Sequence, residues 1–268
     1  MKIGKSTVPS TAICTSDENT IVVRGKDLCQ DLIGHISFTD HFFLMLTGRM
    51  PDAACNAVLN ATLVAIADHG LVPSVQAARM TMAAAPDALQ GAVAAGILGC
   101  GSVILGASED AGKLFVVVEA RMAQGASLDE AAAATITELR AGKRPIPGYG
   151  HPLHKARDPR VDRLIAVATE AGADLRYVEI AQALERVIPG IVGKELRMNV
   201  SAAIPAVLMG VGFPVRTLRG VPILARTAGL IAHLAEEAVN PIGFALSYQA
   251  TREVQYEGEL PAGFGGGA

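Results

Sequence analysis

The chain has 268 residues, of which half are hydrophobic and only 4% are aromatic, with no tryptophan. This Ala-, Leu-, Val- and Ile-rich composition favours closely packed helices over an aromatic-rich β-sandwich, and the length is enough for one large domain or two smaller ones. A formal net charge of −3 lacks the basic surplus of nucleic-acid-binding proteins, so binding to nucleic acid is excluded.

The predicted elements begin with one β-hairpin and continue as helices. Residues 11–24 alternate around Ser16-Asp-Glu-Asn19, which predicts a short hairpin. Glycine and proline punctuation then marks helix ends, and Ser127-Leu-Asp-Glu130 is a capping box. The predicted helices cover 27–33, 39–47, 51–70, segments starting at Pro73 and Pro86, 127–141, 160–170, 174–187, 201–211 and 217–238. The sequence therefore predicts an all-α fold with a short N-terminal hairpin.

Hydropathy and cysteine usage predict the compartment. Mean hydropathy is +0.35, yet no uninterrupted apolar run reaches the roughly 18 residues of a membrane span, and the N-terminal segment lacks the apolar core of a signal peptide. Four scattered cysteines with no C-x-x-C pair predict small buried thiols in a reduced compartment: Cys14, Cys29, Cys55 and Cys100. We expect a cytoplasmic protein with no membrane partner, whose apolar helices also form a homo-oligomer interface.

The loop from Gly148 to Arg160, Gly-Tyr-Gly-His-Pro-Leu-His-Lys-Ala-Arg-Asp-Pro-Arg, is the most informative stretch. Gly148 and Gly150 allow backbone conformations closed to other residues, and His151 exchanges a proton near neutral pH. Arg160 presents a planar fork for a carboxylate at a predicted helix start. These features suit chemistry on a carboxylate-bearing substrate. A turn with a capped helix and a solvated basic cluster explains the stretch taken alone equally well.

A glycine-rich run, Gly96-Ile-Leu-Gly-Cys-Gly101, differs from the G-x-G-x-x-G nucleotide-binding pattern. Ile104 takes the position of the last glycine, and no predicted strand precedes the run. Close packing between helices is the better account.

Five segments resemble the citrate synthase superfamily and follow one another in its order. Ile146-Pro-Gly-Tyr-Gly-His151, followed by Asp158-Pro-Arg160, is similar to the family's P-G-[FY]-G-H and D-P-R. The other four are Ala67-Asp-His-Gly70, Gly96–Ala107, Asn199-Val-Ser-Ala202 and Ala225-Arg-Thr-Ala-Gly-Leu-Ile-Ala232. The resemblance spans roughly residues 10–250 and is strongest to the citryl-CoA lyase proteins and the C-terminal module of ATP-citrate lyase.

The resemblance implies which residues bind the substrate carboxylates. His69, His151, Arg160 and Arg226 fall on those positions, and His151 also takes the hydroxyl proton. Taken alone, His69 suits a residue that complements a helix dipole. Arg226 lies inside an apolar predicted helix, so its guanidinium needs an acidic side chain or a ligand.

The resemblance also implies a CoA thioester as substrate, with no metal or redox cofactor. The loop backbone resembles the family's adenine-binding loop, and two basic residues are placed like those that meet the CoA phosphates. Arg79 is assigned to substrate or CoA. The residues expected to bind CoA are Arg79, Ile146, Gly148, Gly150, Lys194 and Arg197.

Two positions depart from the family pattern. Ile104 stands where synthases carry the histidine that polarises the thioester carbonyl, which favours the lyase branch. Ser201 stands where both branches carry an aspartate, and a serine hydroxyl is not a base at neutral pH, whereas a carboxylate has a pKa of about 3.9 that can be raised. Ser201 can still hydrogen-bond in the site or cap its helix.

Three explanations for Ser201 stay open. Water or another carboxylate, such as Glu236 or Glu237, completes the protonation after cleavage. Alternatively, the substrate needs no α-proton removed, as with a malonyl-type thioester that loses CO₂. The third is a degenerate homologue that binds CoA esters without turnover. The first is favoured.

The resemblance implies a large helical domain at 1–105 and 211–268 and a small CoA-binding domain at 106–210, in a homodimer or higher oligomer. The expected activity is cleavage of a citryl-CoA-type 3-hydroxy-3-carboxyacyl-CoA to an acyl-CoA and a 2-oxo acid such as oxaloacetate. The alternatives are condensation in the synthase direction and a CoA-ester-binding module. A helical scaffold without a ligand leaves the loop histidine and both arginines unexplained.

Overall fold

A computed structural model describes residues 9–101, 105–150 and 157–264. Near the N-terminus, β1 (Cys14–Ser16), β2 (Ile21–Val23) and β3 (Lys26–Asp27) form an antiparallel sheet in that order, with Cys14 opposite Val23. The predicted hairpin is confirmed and gains a third strand. In place of the predicted helix over 27–33, Asp27 caps a single π-helical turn, Leu28–Leu32, by accepting the backbone N–H groups of Cys29 and Gln30.

The rest of the described chain is helical, which confirms the predicted fold class. Helix α6 starts at the predicted capping box, whereas α5 and α11 were not predicted. The helices are α1 (Phe38–Thr47), α2 (Ala53–Ala67), α3 (Pro73–Ala84), α4 (Leu89–Leu98), α5 (Gly106–Ala123), α6 (Leu128–Ala141), α7 (Pro159–Glu170), α8 (Arg176–Val192), α9 (Val200–Gly210), α10 (Gly220–Glu237) and α11 (Gly243–Glu253), with a 3₁₀ turn at Val215–Thr217.

The described residues fall into two compact units. Those of Met1–Ile66 and Ser102–Leu224 form unit 1, and those of Ala67–Gly101 and Ala225–Ala268 form unit 2. These boundaries differ from those of the predicted large and small domains, which stay a prediction.

Helix α9 is the core of unit 1. It packs against α5, α7 and α8, and its residues 202–209 are all buried. Gly112 on α5 makes room for this packing, because a Cβ at that position would lie 2.5 Å from Leu218 Cδ1 and 3.3 Å from Pro205 Cβ. Burial of residues 202–209 therefore fixes the position of α9 in unit 1.

Unit 2 is built around contacts of α3 with α4 and α11, with a core of Val75, Ala78, Ala92, Leu230 and Leu234. A Cβ at position 96 on α4 would lie 2.7 Å from both Leu230 methyl groups and 3.0 Å from the Ser74 carbonyl oxygen. The glycine-rich run therefore serves close packing at position 96, as the sequence indicated.

Two further predictions were tested by burial and helix length. Cys55 and Cys100 are buried, but Cys14 and Cys29 are exposed, so the prediction of four buried thiols was wrong for those two. None of the helices in the described ranges is both long enough and apolar enough to cross a membrane.

Candidate active site

The loop from Ile146 to Gly150 is fixed to the segment that leads into α9. Tyr149 and Met198 form an antiparallel bridge, and the N–H of Gly150 donates to the carbonyl oxygen of Arg197 at 2.7 Å. The N–H of Asn199 donates to the carbonyl oxygen of Gly148 at 2.9 Å. Two predicted motifs, far apart in the sequence, therefore lie side by side in unit 1.

The contact between this loop and the start of α9 requires a glycine at position 148. Its φ is +85°, and a Cβ there would lie 2.5 Å from Ala202 Cβ and 2.9 Å from the Cα and N atoms of the same residue. An L-residue at this position would be strained in its backbone and would also clash with α9. The backbone freedom predicted for Gly148 is therefore used for a close approach to α9.

Tyr149 anchors the loop from the opposite side. Its buried hydroxyl donates to the carbonyl oxygen of Ala181 on α8 at 2.8 Å. Burial, assisted by the nearby charge of Glu185, raises the pKa of Tyr149 well above its usual value. The phenol therefore stays a neutral hydrogen-bond donor and holds the loop on α8.

Asp158 joins Arg160 to the start of α9. Its carboxylate accepts Arg160 Nε at 2.9 Å and Nη2 at 2.8 Å and the backbone N–H of Val200 at 3.0 Å. Burial alone would raise the pKa of Asp158, but the hydrogen bonds and charge of Arg160, with the Val200 N–H, lower it below its usual value. The fork predicted to clamp a substrate carboxylate is thus taken by Asp158, and Nη1 is left for other contacts.

Ser201 is the second residue of α9 and does not cap it. The N-cap is Asn199, whose side-chain Oδ1 accepts the Ser201 backbone N–H at 2.8 Å. Asn199 Nδ2 in turn donates to the carbonyl oxygen of Gly150 at 2.5 Å. Of the two roles predicted for Ser201, capping is therefore wrong, because Asn199 performs it.

The other predicted site residues of unit 1 are spread along the same segments. Ile146 is half-buried, while Lys194 and Arg197 are exposed, and Arg197 pairs with Glu195 at 2.8 Å. His151 and Ile104 lie outside the described residues.

A cavity of about 380 Å³ lies behind the loop in unit 1. Its walls come from α5, α6 and the loop prolines, and they combine apolar side chains with Lys113 and Arg144. Sequence reasoning missed these two cations, because neither lies in one of the motifs. Each is bound to an acidic neighbour, Lys113 to Glu109 at 2.8 Å and Arg144 to Glu138 at 3.0 Å. The remaining lining residues are Asp110, Leu114, Val117, Thr135, Glu138, Leu139, Pro145 and Pro147.

In unit 2, the loop that carries half-buried His69 lies against α10. A Cβ at Gly229 would lie 2.1 Å from the Ala67 carbonyl oxygen, so the two backbones are in direct contact. Further along α10, His233 Nε2 lies 2.9 Å from Asp68 Oδ1. Burial alone would raise the pKa of Asp68, but hydrogen bonds from His233 and from backbone N–H groups lower it.

Arg226 lies on α10, and only 3% of its surface is exposed to solvent. Its Nε and Nη1 atoms are buried and have no hydrogen-bond partner among the residues that the structure describes. Burying guanidinium N–H groups without partners is costly. Of the two partners considered from the sequence, an acidic side chain is therefore not found within the described ranges.

All three guanidinium nitrogens of Arg79 donate hydrogen bonds within unit 2. Its Nε donates to Glu237 at 2.6 Å, its Nη1 to Glu236 at 2.7 Å and its Nη2 to the carbonyl oxygen of Asn240 at 3.0 Å. This buried guanidinium holds α3 to the end of α10, so the geometry does not support its predicted role as a ligand of substrate or CoA. The same contacts occupy both glutamates considered for proton return.

The chain matches a protein family model and resembles several solved structures. The family model "Citrate synthase, C-terminal domain" matches residues 7–243. The solved citryl-CoA lyase from Hydrogenobacter thermophilus is 32% identical with a TM-score of 0.82, over 95% of this chain and 96% of that chain. ATP citrate lyase from Methanosaeta concilii, solved in complex with (3S)-citryl-CoA, is 21% identical with a TM-score of 0.75, over 97% of this chain and 43% of that chain, and shares the fold.

Citrate synthase from Synechocystis sp. is 29% identical over 77% of this chain and 51% of its own length. The chain spans about half the length of the curated relatives it matches.

Proposed function

Because the chain belongs to the citrate synthase family, we propose that it is an enzyme that cleaves a citryl-CoA-type 3-hydroxy-3-carboxyacyl-CoA. The products are an acyl-CoA and a 2-oxo acid such as oxaloacetate. The 32% identity to a solved citryl-CoA lyase, with a TM-score of 0.82, supports this proposal. Family membership also accords with the five motifs found in the sequence.

The buried Arg226 is the observation that carries the proposal. Nε and Nη1 lack partners among the described residues, and a carboxylate offers two oxygens in the geometry that a guanidinium fork accepts. We therefore propose that Arg226 binds a carboxylate of the substrate. His69 and Arg160 are proposed as further carboxylate ligands, Arg160 through its remaining Nη1.

The proposed reaction conserves protons. A base, proposed to be His151, removes the proton of the tertiary hydroxyl, and that oxygen becomes the carbonyl of the 2-oxo acid. The electron pair of the breaking C–C bond moves to the α-carbon of the thioester, and the resulting enolate takes up one proton. Glu237 is a poor donor for that proton, because Arg79 binds it and its pKa is lowered despite burial. We propose that water supplies the proton and that Ser201 acts as a hydrogen-bonding group only.

The cavity behind the loop is the proposed site for the adenine of CoA. Its walls of Pro145, Pro147, Leu114 and Leu139 suit a flat heteroaromatic ring. Lys113 and Arg144 line the same cavity and are proposed to exchange Glu109 and Glu138 for phosphate groups. The exposed Lys194 and Arg197 are proposed to bind phosphate groups as well. No metal enters the proposed chemistry. A homodimer or higher oligomer in the cytoplasm is proposed as well.

Citryl-CoA cleavage tests the proposal. Oxaloacetate release is followed through malate dehydrogenase and the loss of NADH, for the wild type, Arg226→Met and the exposed control Arg163→Met. Two charge-assisted hydrogen bonds contribute about 1.5–3 kcal/mol each, so we expect Arg226→Met to lower kcat/KM at least about a hundredfold and the control to leave it unchanged. A wild type that releases no oxaloacetate, or a fully active Arg226→Met variant, would contradict the proposal.

Condensation is the second candidate, favoured by the relatives named citrate synthase. The same groups serve both directions, because catalysis follows microscopic reversibility. Loss of oxaloacetate in the presence of acetyl-CoA measures condensation, and release of free thiol reports the further hydrolysis of the citryl-CoA that forms. A rate of condensation well above that of cleavage would assign the chain to the synthase direction.

A further inference from the structure

Asp68 makes two contacts that fix the loop carrying His69. Asp68 accepts the backbone N–H of Gly70 through Oδ2 at 3.2 Å and contacts His233 Nε2 through Oδ1 at 2.9 Å. One carboxylate therefore fixes the backbone on the C-terminal side of His69 and connects it to α10 through His233. The two contacts together leave little freedom to the residue between Asp68 and Gly70.

The helix that receives this loop presents three residues on one face. Arg226, Gly229 and His233 are spaced at i, i+3 and i+7 on α10, which places them within one helical stripe. At Gly229 the Ala67 carbonyl oxygen occupies the space of a side chain. At His233 the imidazole contacts Asp68, where the His233 side chain is 16% exposed and the Asp68 side chain is 50% exposed. The loop is thus fixed to the same face of α10 that buries Arg226.

We propose that Asp68 and His233 form a positioning pair that holds His69 for the substrate carboxylate. This inference rests on the proposed function for the identity of the ligand. Nε2–H of His233 donates to the Asp68 carboxylate, and neither side chain is assigned a contact with the substrate. Loss of the pair removes one of the contacts that hold the 68–70 loop on α10, so part of the order of His69 must be restored each time a ligand binds, and affinity falls.

Calorimetric titration with citrate tests the pair without requiring turnover. We expect His233→Leu to weaken citrate binding about tenfold. His233→Gln keeps an N–H donor at a similar reach, so we expect binding within about threefold of the wild type. Val75→Ala is the matched control, because it removes methyl groups from the core of unit 2 without touching the loop, and we expect its affinity to be unchanged.

A double-mutant cycle shows whether His233 acts through His69. In a His69→Ala background, His233→Leu is expected to have no further effect on citrate affinity. An equal loss in both backgrounds, an unchanged affinity in His233→Leu, or the absence of citrate binding by the wild type would overturn the proposal. If the wild type binds citrate with the expected cycle but releases no oxaloacetate from citryl-CoA, the positioning pair stands and the lyase function falls.

Discussion

Substitution of Gly148 by alanine separates two costs that the structure places on one position. The backbone has φ +85°, and a left-handed conformation costs a non-glycine residue about 1–2 kcal/mol. The new Cβ would also lie 2.5 Å from Ala202 Cβ, and such overpacking costs about 1–3 kcal/mol more. We therefore expect Gly148→Ala to lower the free energy of unfolding by about 2–5 kcal/mol in urea denaturation.

Gly172→Ala is the matched control for that prediction. Gly172 also lies in unit 1 and has φ +72°, but no atom lies within 4 Å of a Cβ built there. It bears the backbone cost alone, so we expect a loss of about 1–2 kcal/mol. Equal losses in the two variants would refute the reasoning that α9 leaves no room at Gly148. The same Gly148→Ala variant is expected to bind CoA more weakly, because the displaced loop lines the proposed adenine cavity.

Three further predictions concern the charges and thiols. Arg79→Met leaves Glu237 buried without its cation and is expected to cost about 3–5 kcal/mol of unfolding free energy, against about 1 kcal/mol or less for the exposed Arg157→Met. Folding lowers the pKa of Glu237 below its usual 4.5. Its stabilising contribution is therefore present above that pH and is lost as the pH falls through the folded-state pKa. We expect Glu237→Gln to reduce the change of the unfolding free energy with pH in that window. Burial, assisted by Asp52, raises the pKa of the Cys55 thiol to about 11, so iodoacetamide at pH 8 is expected to alkylate exposed Cys14 well before Cys55.

Each of these predictions has a contrary outcome. Equal losses of unfolding free energy for the two arginine variants would show that Arg79 is not a buried structural cation. A Glu237→Gln variant with the wild-type slope of stability against pH would place the acid sensitivity elsewhere. Alkylation of Cys55 as fast as Cys14, measured by peptide mass analysis of native protein, would show that the buried thiol is accessible.

Local signals predicted the elements whose causes are local. Helix α6 was predicted from four residues, because Ser127 and Glu130 cap each other across one turn. Helix α5 was missed because its N-cap residue, Leu105, makes no side-chain capping bond. The helix predicted over 174–187 extends to Val192 and has Pro189 inside it, so packing outweighs the proline penalty there.

The candidate site shows the same limit. The residue types around Arg160 and Gly148 were predicted from motifs, but not the partners that occupy them. Arg79 and Glu237 are 158 residues apart in the sequence, and no local pattern indicates that they pair. A buried arginine needs an anion, and the sequence alone does not tell whether that anion is a ligand or a glutamate.

The capping of the first turn of α9 determines which residues the fold accepts at position 201. Asn199 already satisfies the Ser201 backbone N–H, and the Ser201 side chain performs no capping. An acidic side chain in the first turn of a helix interacts favourably with the helix dipole by about 0.3–1 kcal/mol, and the site is half-buried. The scaffold would accept an aspartate there as readily as it accepts the serine. The folding of α9 therefore gives no reason for a serine in place of an aspartate at position 201.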